Sequence, residues 1–192
     1  LLNFMASACV NSSYSRADEK KITNKLIHLI LGQFAHRSQA FYALKVSETQ
    51  SLLNSKPNDF LARNDLAVAY LKQGKWDLAE QELQHNEKLH PGEYDTAANL
   101  GVLYKKRGQF TQAAKSIQKS LNIKADGHMG LGDYYLLMCR NLAHPSSTHS
   151  FLGTPYSAQP EANAKLANKQ HLISLIKNDY LHADTYFILG DV

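Results

Sequence analysis

Residues Leu66–Leu83 spell LAVAYLKQGKWDLAEQEL, and 34 positions later Leu100–Ile117 spell LGVLYKKRGQFTQAAKSI. Laid side by side without a gap, Phe60–Pro91 and Tyr94–Ala125 share seven identities, among them Leu66/Leu100, Tyr70/Tyr104, Gly74/Gly108 and Ala79/Ala113. Ala67/Gly101, Trp76/Phe110 and Leu83/Ile117 preserve size or apolar character. A fixed period of about 20 to 50 residues marks a solenoid, in which each unit buries its face only against its neighbours.

Inside each unit the apolar spacing is helical. Leu66, Ala69 and Tyr70, then Leu78, Ala79 and Leu83, recur at steps of three and four, which predicts two helices per unit. The glycine between them stops the first helix, because it accepts the left-handed backbone that other residues avoid. Small residues at Ala67/Gly101 and Ala79/Ala113 let the helices of an antiparallel pair approach. Tyr70/Tyr104 and Trp76/Phe110 fill the remaining volume, with Trp76 expected in the interior of its own pair. Pro91 ends the second helix.

These residues, L-A/G-x-x-Y followed by G-x-W/F-x-x-A-x-x-x-L and then Pro, resemble the tetratricopeptide repeat, and the 34-residue period agrees. The resemblance implies an all-α fold, a right-handed superhelix of antiparallel helix pairs whose first helices line a concave groove. It also implies a non-enzymatic role as a scaffold that holds a protein or peptide segment in that groove.

Followed outward, the pattern divides the chain into residues 1–17, a leader remnant and polar linker, and 18–192, the repeat domain. The units fall at about 18–59, 60–93, 94–126 and 127–181, with 182–192 opening another. Pro57 precedes Pro91 by the same period, so Lys20–Leu31 is expected as a first helix and Ser38–Ser55 as a long second one. Downstream, Leu131, Gly132 and Tyr135 restore the pattern only 31 positions after their counterparts. Residues 142–161 then interrupt the unit with a Pro-, Ser-, Thr- and Gly-rich stretch, and Ala162–Lys177 supplies the delayed second helix. Loops beyond roughly 12 to 15 residues are uncommon in compact domains. This one is expected to be a removable excursion, since Pro145, Pro155 and Pro160 oppose a continuous helix. Phe151, Leu152 and Tyr156 either tuck back on the helices or face a partner, and apolar side chains favour tucking.

Composition narrows the function. The net charge of +4 is spread over the 192 residues without a basic run, which gives no reason to expect nucleic acid. No apolar run approaches the ~18 residues of a membrane span. Two cysteines cannot build a disulfide framework. Cys9, in LLNFMASACVNSSYS, follows Ala6, Ser7 and Ala8 as the lipidated cysteine of a bacterial lipoprotein follows small residues. That similarity implies a lipid anchor at Cys9 and a place at the bacterial envelope; the other reading is an incidental cysteine in a frayed terminus, with a cytoplasmic scaffold as the default.

No G-x-S-x-G elbow, no phosphate-binding or dinucleotide glycine loop and no metal-ligand spacing is present, so neither catalysis nor a cofactor is expected. His144 and His149 read as solvated loop histidines and not as a metal pair. The competing reading is a repeat region that positions substrate for a catalytic domain outside this sequence.

The groove candidates are Asn64, Val68 and Lys72, then Asn99, Val102, Lys105 and Lys106, then Met129, Asp133 and Leu136. Lys72 and Lys106 align, as a basic rim or as charges that complement helix C-termini. Family members that grip a C-terminal carboxylate do so with Lys, Asn and Arg. Asn99 matches one such position, but Val68 replaces a second Asn and Gly130 the Arg, so carboxylate clamping is not expected.

Overall fold

The computed structural model describes residues 12–14, 37–127 and 130–192. Among these the chain is all-α, with nine helices in consecutive packing. They are α1 (Gln39–Ser55), α2 (Phe60–Lys72), α3 (Trp76–Leu89), α4 (Tyr94–Lys106), α5 (Phe110–Ile123), α6 (Gly132–Ala143), α7 (Pro160–Leu166), α8 (Lys169–Asn178) and α9 (Ala183–Gly190). Each of α1 to α5 packs along the next, and α8 packs along α9. The expected helix at Lys20–Leu31 lies outside the described residues.

Local chemistry sets the helix ends. Ser38 accepts the Phe41 N–H at 3.1 Å and Asp59 accepts the Ala62 N–H at 2.9 Å, each capping an otherwise unpaired donor. Gly74 and Gly108, at φ 75° and 73°, turn the chain between the helices of their pairs. Ala67, Ala79 and Ala113 are fully enclosed. A Cβ at Gly101 would overlap the Ile117 side chain, so the close approach of α4 and α5 requires glycine there.

Three expectations need correction. Trp76 is only partly buried, because it is the first residue of α3 and lies at the end of its pair, while Ala79 and Leu83 occupy the interior. The delayed second helix is two helices, broken where Ala167 is extended (φ −113°, ψ 140°) and Asn168 caps α8 by accepting the N–H groups of Gln170 and His171. The loop, running from the end of α6 at Ala143 to Pro160, is not a detachable excursion.

Phe151 is 3% exposed in a core cluster with Tyr135, Met138, Leu172, Leu175 and Ile188, with Leu152 packed beside it. The Asp184 carboxylate accepts the Phe151 N–H at 2.5 Å. Thr154 donates to Asn163 and Asn163 to Asp191, both at 2.5 Å, so hydrogen bonds sew the loop to α7 and the end of α9. Tyr156 stays at the surface, its ring 5.3 Å from Phe187.

Candidate functional site on the first-helix face

The residues proposed to line a groove sit on α2, α4 and α6, and the structure sorts them sharply. Every residue from Asn64 to Lys72 is buried, so this stretch of α2 presents no open wall. Val68 and Val102 belong to the core cluster of Leu66, Tyr70 and Leu71. Asn64 and Asn99 are spent on each other: the Asn99 amide donates to the Asn64 carbonyl oxygen at 2.8 Å across the α2–α4 contact. Leu136 is a core residue, Asp133 is exposed on α6, and Met129 lies outside the described residues. Cys9 lies outside them as well.

The lysines divide similarly. Lys72 and Lys106 are the last residues of α2 and α4, where their charge complements the helix dipole. Burial holds the Lys106 ammonium below its ordinary range. Lys105 pairs with the Asp179 carboxylate just after α8. Burial draws the Lys105 ammonium down to about 8. Its neighbourhood also contains Cys139, a buried free thiol pushed up to about 11 by burial. His182 is close enough to feel Lys105: burial first, then that charge, lower its imidazole to about 4. His182 Nδ1 lies 2.7 Å from the Thr185 hydroxyl, with the Phe151 ring at 5.2 Å. The Lys105–Asp179 pair ties the end of α4 to the residue that follows α8. It is a packing element with charge in it.

One residue of this face escaped the sequence reading. Asp65 stands 34 positions before Asn99, in the register that pairs Val68 with Val102 and Lys72 with Lys106. It holds another part of the chain. The Ser13 N–H donates to its Oδ1 at 2.9 Å, the Ser13 hydroxyl donates to Oδ2, and the Tyr14 hydroxyl reaches the Asp65 backbone oxygen at 3.3 Å. Tyr14 packs edge-on to Phe41, with centroids 5.7 Å apart, and the Lys45 ammonium lies 6.0 Å from its ring. Burial, and next the Asp65 charge, hold the Tyr14 phenol far above its ordinary range. Ser12 is buried too. Residues 12–14, expected as polar linker, therefore lie against α1 and α2.

Among the described residues no three His, Cys, Asp or Glu side chains gather as a metal would need, and His144 and His149 are exposed. No described helix is long and apolar enough to cross a membrane. Residues 96–127, which span nearly all of α4, α5 and the turn beyond, match the family described as tetratricopeptide repeat. No curated protein matches the chain. The chain carries a tetratricopeptide repeat at residues 96–127 within an all-α protein.

Proposed function

We propose that this protein is an interaction scaffold that holds a short segment of a protein partner against Asp65 on α2. The repeat at residues 96–127, of a kind that typically binds proteins and not substrates, supports the class of function. The contact of Ser13 with Asp65 supports the place: a carboxylate on the first-helix face accepts a backbone N–H and a hydroxyl from a separate part of the chain. A main-chain N–H is common to every peptide, and the adjoining aromatic wall of Phe41 and Tyr42 adds selection for a ring at the next position. In this state Ser12–Tyr14 occupies the site, and a partner segment replaces it. An anchor at Cys9, five residues before Tyr14, would place this exchange at the bacterial envelope.

Selection of peptides from a random library on the full chain tests the reading. Selected peptides should carry a hydroxyl residue followed by an aromatic one. Asp65→Ala should weaken them by roughly tenfold or more, the worth of a charge-assisted pair of hydrogen bonds. Peptides indifferent to Asp65→Ala would overturn it.

A further inference from the structure

Arg107, just after α4, reaches over α3 and meets two carboxylates there, Asp77 and, at 2.6 Å, Glu80. Glu80 also accepts the Tyr104 hydroxyl at 3.1 Å. The seam between α3 and α4 neutralises its own charge.

In the 34-residue register Asp77 becomes Thr111 and Glu80 becomes Ala114. The corresponding seam between α5 and α6 has lost both acids and the volume they fill. An open cavity of about 430 Å³ lies there, with Thr111, Ala114 and Ala143 among its walls. All the charges lining it are basic: Lys115 and Lys119 from α5 and Arg140 from α6, with His144 beside them. Arg140 donates to the neutral Gln118 side chain at 3.0 Å, and no carboxylate of the described residues pairs with it. Lys119 reaches Glu87 of α3, and Lys115 makes no ion pair among the described residues.

The helices that follow leave this seam open. α4 packs along α3 on one side and α5 on the other, whereas α6 packs along α5 and shares a core cluster with α8 and α9, neither of which contributes a residue to the cavity wall. α8 packs along α9 and meets α6 through side chains, as where the Tyr134 and His171 rings stand 5.5 Å apart. A helix-lined cavity with small walls and unmatched cations is complementary to a slender segment bearing carboxylates.

We propose that the α5–α6 seam docks a short acidic segment of a partner protein, whose carboxylates take the places that Asp77 and Glu80 hold one repeat earlier. A peptide fits better than a nucleic acid, because no Phe, Tyr or Trp lines the cavity to stack successive bases. The seam is separate from the Asp65 face, so either reading can fail alone.

Anisotropy of a fluorescein-labelled peptide of Glu-Ala-Ala-Glu repeats, titrated with the full chain, tests this. Lys115→Glu and Arg140→Glu should each weaken binding by roughly tenfold, as loss of a charge-assisted contact does, while exposed Lys56→Glu, with the same change in net charge, should weaken it far less. Ala114→Glu restores the acid of the preceding repeat and should abolish binding while the melting temperature holds. Equal binding of the Gln-for-Glu peptide, equal weakening by Lys56→Glu, or indifference to Ala114→Glu would overturn the proposal. So would an oligothymidine that binds as tightly with the same dependence on Lys115 and Arg140.

Discussion

At the scale of single residues, the polar groups that look most available in the sequence are those the fold has engaged. The Asn99-to-Asn64 hydrogen bond is buried between α2 and α4, where removing one partner costs more than removing both. Asn99→Ala should lower stability by about 1–3 kcal/mol, and the double change Asn64→Leu, Asn99→Leu by less than the sum of its parts. Urea titration of the four proteins in this cycle measures the coupling. His182 provides a second check, with a defined sign. Its folded pKa, about 4, lies below the usual 6.5, so the unfolded chain binds a proton that the folded chain refuses. Its contribution to stability is present above pH 6.5 and is lost as pH falls toward 4, up to about 3 kcal/mol. His182→Gln should flatten the fall in unfolding free energy over that window, and a slope identical to wild type would show that His182 does not cause it.

At the scale of elements, Phe151 shows what turns an insertion into structure. It is enclosed by side chains from α6, α8 and α9, so Phe151→Ala should cost roughly 3–5 kcal/mol, measured as a large drop in melting temperature. Tyr156→Ser, at the surface, should cost under about 1 kcal/mol. Asn168→Ala should cost about 1 kcal/mol by removing the cap of α8. The sequence announced the first of these and hid the last. Three large apolar groups in a proline-rich stretch signal local packing, and two of the three are packed. The break before α8 was harder to see, because Leu172, Leu175 and Ile176 continue a helical spacing that masks a capping Asn. The turns at Gly74 and Gly108 and the helix end before Pro91 were legible because glycine and proline enforce them locally. Whether the first-helix face is open was not legible, since that depends on Ser13 meeting Asp65 across 52 residues of sequence, and no local pattern encodes such a contact. The register did contain a clue. Asp65 aligns with Asn99, and a residue type that recurs as Asp and Asn at one position of a solenoid invites a shared hydrogen-bonding role.

At the scale of the whole molecule, the described residues build two core clusters. Leu66, Val68, Leu71, Ala79 and Leu103 hold α2 to α4 together, while Ile117, Leu121, Tyr135, Leu172 and Ile188 join α5 and α6 to the loop, α8 and α9. The seam between the clusters is the α4–α5 packing, the most extensive helix contact and the one inside the matched repeat. Solenoid stability is close to a sum of unit and nearest-neighbour terms, so a defect is felt strongly in its own cluster and weakly beyond the next interface. Leu175→Ala creates a cavity in the second cluster, at a cost of about 2–5 kcal/mol there. Native-state hydrogen exchange should then speed up in the amides of α8 and α9 and in the loop around Phe151. Exchange in α2 and α3 should keep its wild-type rates at low denaturant. If α2 and α3 accelerate by the same factor, the two clusters unfold as one unit, and the α4–α5 contact is strong enough to couple units that the repeat architecture would otherwise let open separately.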